Sequence, residues 1–267
     1  MPALHHVRRG SGEPLVLVHG IGSQWRIWEP VMDRLAQERD VIAIDLPGFG
    51  RSPHDGTGPS VPDQAERVRA FFGELGLERP HVAGNSMGGG IALELARMGA
   101  VASATAVSPV GFWTPRERTF AQTSLQVSRR LLPLLGPVLP SLLRSPVGRT
   151  ALLGQLVARP WRMDGEAAIE HLELLVGAPA FDACCEAFDD YTFHDAHQLD
   201  DVPVTVAWGD RDLLLLYRQA ARARHVMPRA RHVTLPGCGH APFSDDPALL
   251  AGVLLESSAP VADVTAL

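Results

Sequence analysis

Apolar runs separated by amphipathic segments set the pattern of the first part of the chain. Residues 14–19 and 40–45 are nearly continuous apolar runs, which are typical of strands buried on both faces of a parallel sheet. Residues 28–39 instead place their apolar side chains at helical spacing. The alternation continues in predicted strands at 5–9, 79–83 and 102–108 and in predicted helices at 63–75 and 91–98. It predicts an α/β fold with a mostly parallel, doubly wound sheet, in which 5–9 is an edge strand.

The alternation stops between residues 112 and 198. This segment shows no buried-strand pattern and predicts helices over 117–135, 138–157 and 166–188, separated by prolines and glycines. Strands at 202–208 and 232–235 and helices at 216–225 and 247–256 then resume the first pattern, before a tail that we expect to be frayed. We therefore predict an α/β core formed by residues 1–111 and 199–267, with residues 112–198 inserted as a helical cap.

The predicted cap contains many of the aromatic residues of the chain. We expect most of them to form its own core and a minority to line an apolar pocket beneath it. They are Trp113, Phe120, Trp161, Phe181, Phe188, Tyr191 and Phe193.

Composition and charge narrow the possible partners. A net charge of −6 with a pI near 6.0 gives no basic footprint for nucleic acid. The N-terminal residues lack a continuous apolar core, so we expect no secretory signal there. Prolines interrupt the apolar stretch at 131–147, so we expect no membrane-spanning helix. Three cysteines, two of them adjacent, argue against a disulfide framework or a zinc site and favour a cytoplasmic location.

A serine between two glycines is the first candidate for chemistry. In Gly84-Asn85-Ser86-Met87-Gly88 the serine follows a predicted strand and precedes a predicted helix. A turn of this kind strains the backbone and exposes the hydroxyl, while glycines two residues away allow close passage of the chain. The pattern makes Ser86 a candidate nucleophile, although a glycine-rich turn that happens to contain serine has the same letters.

An acid and a histidine follow later strands. Asp210 and Asp212 come after the strand at 202–208, and His240 comes after the strand at 232–235. Because sites in open α/β sheets assemble at the carboxyl ends of the strands, these residues are expected to meet Ser86. A serine needs an imidazole to remove its proton, and the imidazole needs a carboxylate to hold its tautomer. The order serine, aspartate, histidine is that of an α/β-hydrolase triad.

Five motifs in this order carry a resemblance to the α/β-hydrolase superfamily over nearly the whole chain. They are His19-Gly20-Ile21-Gly22, the run from Asp45 to Ser52, Gly84 to Gly89, Trp208-Gly209-Asp210-Arg211-Asp212, and Gly237-Cys238-Gly239-His240. The resemblance implies that Asp212 is the acid, with Asp210 as the less favoured alternative that stabilises the turn. It also implies that the backbone N–H groups of Ile21 and Met87 form the oxyanion hole and that His19 braces its loop.

The expected function is hydrolysis, without a cofactor, of an ester or similarly activated carbonyl in a fairly apolar small molecule. One alternative is a carbon–carbon bond hydrolase of aromatic ring-cleavage products, a group that the serine turn resembles; Ala241 stands where that group carries tryptophan. Acyl transfer and cofactor-free peroxidation would use the same triad. A non-catalytic ligand-binding receptor on the same fold is the alternative from another class.

Two charged clusters have competing interpretations. Asp189, Asp190, His194, Asp195 and His197, with Asp200 and Asp201, offer oxygen and nitrogen ligands at spacings that suit a metal, but a polar hinge between cap and core is the favoured interpretation. The arginines at 129, 130, 144 and 149 could bind an anionic group, but a solvated helix face is the favoured interpretation. We therefore predict no metal and no cofactor.

Overall fold

The computed structural model describes residues 3–194, 199 and 201–259. Within these residues seven strands form one sheet in the order β1-β3-β2-β4-β5-β6-β7. Their bounds are β1 (His6–Gly10), β2 (Pro14–Val18), β3 (Asp40–Ile44), β4 (His81–Asn85), β5 (Ala104–Val107), β6 (Val204–Gly209) and β7 (Arg231–Leu235). Strand β1 pairs antiparallel with β3 at the sheet edge, and every other pairing is parallel. The predicted α/β fold with a mostly parallel sheet and an edge strand near residue 5 is confirmed.

Helices cover both faces of this sheet. Before the cap they are α1 (Glu29–Leu35), α2 (Val61–Glu74) and α3 (Met87–Arg97). Between β5 and β6 come α4 (Pro115–Leu131), α5 (Val138–Arg144), α6 (Pro146–Leu153), α7 (Gly165–Gly177) and α8 (Phe181–Glu186), followed after β6 by α9 (Arg218–Val226), α10 (Pro242–Asp245) and α11 (Pro247–Ser257). The elements that the structure describes between β5 and β6 are all helices, in keeping with an inserted helical segment. The bounds of that segment, residues 112 and 198, stay a prediction.

Alternate residues of the central strands enter two separate hydrophobic cores. In β2, Val16 and Val18 join the core that contains α2 and α3, whereas Leu15 and Leu17 join the core that contains α1 and α11. This division follows from the period of two residues along a strand. It explains why the strand had to be apolar at almost every position.

The helices of the segment that was predicted as a cap are shorter than predicted, because prolines interrupt them. The predicted helix over 138–157 is two helices, since Ser145 is extended in front of Pro146. The predicted helix over 166–188 divides in the same way, where Ala178 is extended in front of Pro179. Helix α4 gives way at Leu132–Leu135 to a 3-10 turn that contains Pro133.

The apolar stretch at 131–147 is thus divided among α4, a 3-10 turn, α5 and α6. Among the described residues no helix combines the length and the apolar character that crossing a membrane requires.

Candidate active site

Ser86 occupies a strained turn between β4 and α3. Its φ of 59° and ψ of −117° lie in a region that favours glycine, so the surrounding structure holds the residue against its own preference. The strand before it fixes Asn85, and the helix after it begins at Met87. This strand–turn–helix geometry is the one that presents a nucleophilic hydroxyl.

The two glycines that flank the turn allow its close packing. A Cβ atom at Gly84 would lie 2.0 Å from the carbonyl oxygen of Gly88, and one at Gly88 would lie 2.2 Å from the carbonyl oxygen of Val18. Both contacts are with backbone, which has no freedom to move aside. Glycine at these positions is therefore a steric requirement of the turn.

Asp212 and His240 form a buried pair. Nδ1 of His240 lies 2.8 Å from Oδ2 of Asp212, and both side chains are almost fully buried. The other oxygen of Asp212 accepts hydrogen bonds from the N–H groups of Leu214 at 2.9 Å and Leu215 at 2.8 Å. Because the carboxylate occupies Nδ1, the nitrogen that His240 has left for other chemistry is Nε2.

Asp210 contacts the backbone and makes no hydrogen bond to His240 within the described residues. Its Oδ1 accepts a hydrogen bond of 2.7 Å from the N–H of Gly237, in the turn that leads to the histidine. The N–H of Arg211 donates to the carbonyl oxygen of Cys238 at 2.9 Å. These bonds join the loops after β6 and β7, so Asp210 stabilises the turn while Asp212 contacts the imidazole.

The loop after β2 lies against the serine. A Cβ atom at Gly20 would stand 3.0 Å from Cβ of Ser86 and 3.6 Å from its hydroxyl oxygen. Ile21, the next residue, lines the same cavity as Ser86, and Met87 opens the first turn of α3, where backbone N–H groups lack acceptors within the helix. The placement is compatible with the predicted oxyanion donors, which stay a prediction.

His19 holds this loop in place. Its Nδ1 contacts the carbonyl oxygen of Gly20 at 2.7 Å, and its Nε2 accepts a hydrogen bond of 3.0 Å from the N–H of Leu46. Burial lowers the pKa of His19, although the bond to Gly20 and the charge of Asp45 oppose that shift. A neutral imidazole with both nitrogens engaged is a brace between two loops.

Asn85 is a positioning residue to which the sequence pattern assigns no role. Its side-chain amide donates to the carbonyl oxygen of His240 at 3.0 Å and to that of Val107 at 3.2 Å. It thereby ties the histidine's backbone to the strand end next to the serine. Nothing in the sequence distinguishes this asparagine from one that caps a turn.

Asp245 is a second residue whose position near the site no sequence pattern predicted. One carboxylate oxygen accepts from the N–H groups of Gly239 at 2.8 Å and Ala158 at 3.0 Å, and the other accepts from Arg159 at 2.8 Å. The N–H of Ala241 also donates to the carbonyl oxygen of Leu156 at 2.9 Å. The histidine loop is therefore bound to the segment between α6 and α7.

A cavity of about 90 Å³ lies next to the serine and the histidine. Ser86 and His240 both line it, and its remaining wall is mainly aliphatic. The aliphatic side chains come from the loop after β2, from the cap and from the loops after β6 and β7: Ile21, Ile27, Leu125, Leu153, Leu156, Val157, Met163, Leu172, Leu175 and Leu214. The arrangement can hold an apolar group next to a serine and an imidazole.

The sequence profile of the alpha/beta hydrolase family matches residues 15–253. The chain belongs to this family. An uncharacterized protein of Mycobacterium tuberculosis is 31% identical over 255 residues, which cover 90% of this hydrolase and 73% of the relative. The dihydrolipoyllysine-residue acetyltransferase component of the acetoin cleaving system of Pseudomonas putida is 30% identical over 234 residues, which cover 86% of this hydrolase and 59% of the relative.

A solved structure extends the likeness. The crystal structure of a bacterial membrane phospholipase A has a TM-score of 0.74 and 26% identity, and the match covers 96% of this hydrolase and 83% of the phospholipase. The superfamily resemblance stated from the motifs is confirmed, and membership of this family supports hydrolase chemistry.

The aromatic residues of the cap do not line the cavity of this hydrolase. Five of the seven are buried in the core, as expected: Trp113, Phe181, Phe188, Tyr191 and Phe193. Phe120 and Trp161 are about half exposed. The expectation that a minority line the pocket is wrong, because leucines of α4, α6 and α7 take that place.

The two charged clusters have structural partners where they are described. Asp189 accepts from Gln122 at 3.1 Å and lies 3.4 Å from Arg118, both on α4. Asp195, His197 and Asp200 lie outside the described residues, and among those described no three potential ligands are grouped to hold a metal. The contacts of Asp189 with α4 fit the polar hinge, which stays a prediction.

Three of the four arginines at 129, 130, 144 and 149 are engaged within the protein. Arg129 lies 3.3 Å from Asp182, and Arg144 lies 2.8 Å from Glu166. The buried Arg149 donates to the carbonyl oxygens of residues 143, 144, 160 and 161. Arg149 therefore joins α5, α6 and the turn after them, which favours a structural role over anion binding.

Proposed function

We propose that this hydrolase is a carboxylesterase-like serine enzyme that cleaves an ester, or a similarly activated carbonyl, of a fairly apolar small molecule. The observation that supports it most directly is the Asp212–His240 contact of 2.8 Å, made by the histidine that lines one cavity together with Ser86. The likeness to a phospholipase A supports the choice of an ester. In this proposal residues 112–198 act as the cap that closes the site.

The proposed cycle begins with attack of the Ser86 hydroxyl oxygen on the substrate carbonyl. Nε2 of His240 takes the hydroxyl proton, and Asp212 stabilises the imidazolium through Nδ1. The N–H groups of Ile21 and Met87 stabilise the negative oxygen of the tetrahedral intermediate. When the intermediate collapses, His240 gives the proton to the departing alkoxide, and the acyl group stays on Ser86.

The second half of the cycle repeats these roles with water. His240 removes a proton from water as it attacks the acyl carbonyl, and then returns the proton to the serine oxygen. The acyl group leaves as a carboxylic acid. Because His240 moves every proton in both halves, the proposed reaction uses no cofactor.

The cavity wall supports an apolar acyl or alcohol group of limited size. Four leucines, Leu125, Leu156, Leu172 and Leu175, also line a second cavity of about 330 Å³ within the cap. They form the wall between the two spaces. A short chain fits beside Ser86, and a longer chain requires these leucines to move apart.

The decisive experiment compares Ser86→Ala with Ser141→Ala, which changes an exposed serine of α5. With p-nitrophenyl esters of short and medium chains, we expect Ser86→Ala to lose at least about 10³-fold in kcat/KM while Ser141→Ala keeps wild-type turnover. Circular dichroism of each variant confirms folding. Undiminished turnover in folded Ser86→Ala would show that Ser86 is not the nucleophile.

Labelling with a fluorophosphonate separates an enzyme from a receptor on the same fold. An activated serine forms a covalent adduct, so mass spectrometry of the wild type should place the label on Ser86 and find none in Ser86→Ala. A folded wild-type protein that stays unlabelled supports the non-catalytic alternative.

A further inference from the structure

Two polar atoms in the mainly aliphatic wall of the catalytic cavity have no partner within the described residues. Ser23 and His171 line this cavity together with Ser86. The hydroxyl oxygen of Ser23 and Nε2 of His171 are buried and make no hydrogen bond. Buried polar atoms without partners lower stability, so a protein that keeps them is expected to have a use for them. The proposed ester hydrolysis uses neither.

The bonding of His171 defines what its free nitrogen offers. Its Nδ1 lies 2.7 Å from the carbonyl oxygen of Ala167, one turn earlier in α7. A carbonyl oxygen accepts only, so the proton of the neutral ring sits on Nδ1. Nε2 then carries a lone pair and accepts a hydrogen bond. The hydroxyl of Ser23 can donate one.

The segments that carry these two residues pack against each other. The side-chain amide of Gln24 donates to Glu170 at 2.9 Å, and these residues adjoin Ser23 and His171 in the sequence. A Cβ atom at Gly22 would lie 2.5 Å from a methyl carbon of Leu175, in the next turn of α7. The loop that carries the proposed oxyanion donor is thus covered by the helix that carries His171.

We propose that Ser23 and His171 form a polar subsite that binds a hydroxyl group on the substrate of this enzyme. A hydroxyl donates to Nε2 of His171 and accepts from the Ser23 hydroxyl, so it satisfies both atoms at once. The inference rests on the proposed function and narrows it to esters that carry a hydroxyl near the scissile bond.

Other polar groups fit the pair less well. A ketone accepts from Ser23 and leaves Nε2 of His171 unpaired. A carboxylate has no proton to donate to Nε2 of the neutral His171 ring, and neither an arginine among the described lining residues nor a lysine, which the sequence lacks, is there to balance its charge. The chemistry of the two atoms therefore favours a neutral group that both donates and accepts.

The test compares ethyl 3-hydroxybutyrate, as each enantiomer, with ethyl 3-methoxybutyrate and ethyl butyrate, by titration of the released acid. The methoxy ester keeps the acceptor oxygen and lacks the donor. We expect the wild type to favour one hydroxy ester over ethyl butyrate by about tenfold or more in kcat/KM, and the methoxy ester to lose this advantage. The ratio of two esters, compared between wild type and variants, cancels their intrinsic reactivities.

The variants are Ser23→Ala, His171→Phe and His171→Gln. The first two remove one partner each and should lower the hydroxy-to-plain ratio toward one, while His171→Gln keeps an acceptor oxygen and should retain part of it. Ser23→Ala should leave the melting temperature of the free protein unchanged or higher, because the hydroxyl has no partner there. If the Ser23 hydroxyl had only a structural role, Ser23→Ala would lower the melting temperature. Ser23→Ala also keeps the test valid if His171→Phe does not fold.

Calorimetric titration of Ser86→Ala with the same esters provides a reading that needs no turnover. A wild-type ratio near one, or equal binding of the hydroxy and plain esters by Ser86→Ala, would overturn the subsite. If Ser86-dependent hydrolysis of ethyl butyrate persists in that case, the proposed function stands. If the hydroxy ester binds more tightly but no ester is cleaved, the subsite stands and the proposed function fails.

Discussion

Asp245 connects the segment after α6 to the loop that carries His240, and its replacement tests whether that connection matters. The carboxylate accepts three backbone hydrogen bonds, from Gly239, Ala158 and Arg159, and is largely buried. Gly239 immediately precedes His240, while residues 158 and 159 follow α6. One side chain thus fixes the histidine loop against the cap.

The change Asp245→Asn keeps the shape and removes one acceptor oxygen. In its best orientation the asparagine oxygen still accepts from Gly239 and Ala158, and its amide faces the N–H of Arg159. One buried donor then has no partner and the other two bonds lose their charge, at a total cost of about 2–3 kcal/mol. For a chain of this size that cost lowers the melting temperature by about 5–10 °C.

A loosened histidine loop should also slow the reaction. A small displacement of a catalytic group costs up to about 100-fold in rate, so we expect kcat/KM for the ester substrate to fall by about 10–100-fold. The matched control is Asp246→Asn, the same chemical change one residue later. Asp246 only caps α11, by accepting from the N–H of Leu249 at 2.9 Å, and asparagine caps a helix equally well.

Thermal denaturation and ester kinetics on the two variants decide the matter. The expected result is a large fall in both the melting temperature and kcat/KM for Asp245→Asn, and almost no change in either for Asp246→Asn. If the two variants melt within about 1 °C of each other and turn over ester at the same rate, the three bonds do not hold the histidine in place and the reasoning is wrong.

The choice of acid and the junction between α4 and α9 give two further predictions. Asp212→Asn should lose about 10³-fold or more in kcat, because the imidazole tautomer is no longer held, whereas Asp210→Asn should mainly lower the melting temperature; the opposite result would make Asp210 the acid. Burial favours a raised pKa for Glu117, but hydrogen bonds from Thr114 and Arg218 and the charge of Arg222 hold it below the usual 4.5. The stability from ionised Glu117 is therefore fully present above pH 4.5 and is lost as the pH falls through the lower folded pKa. In urea unfolding the gap between wild type and Glu117→Gln should close on acidification, and a gap independent of pH would contradict this.

The positions of the strands along the chain, and the meeting of their carboxyl ends at one edge, were predictable because simple rules decide them. A strand buried on both faces must be apolar at nearly every position, so residues 14–19 and 40–45 showed their place in the sheet. Parallel strands bring their carboxyl ends to one edge, so Ser86, Asp212 and His240 were expected to meet. The choice between Asp210 and Asp212 depended on a resemblance, since both directly follow the same strand.

The cap was predictable only in outline. Apolar spacing indicated helices, but where each helix stops depends on whether a proline interrupts it or begins the next helix. Pro115 and Pro146 lie in the first turn of α4 and α6, whereas Pro133 falls in a 3-10 turn after α4. The spacing of apolar residues around the proline does not tell the two situations apart.

The cavity wall was not predictable, because its residues come from distant segments whose contacts no local pattern records. Leu125 and Leu172 have the same helical spacing as leucines that face the cap's own core. The same long-range contacts qualify the idea of the cap as a separable insertion. Gly239 binds Asp245, Asp245 binds residues 158 and 159, and Asn85 binds His240. A transplanted cap that lacks backbone donors at 158 and 159 would leave Asp245 without two of its three bonds, and the histidine would lose its support although the triad itself were unchanged.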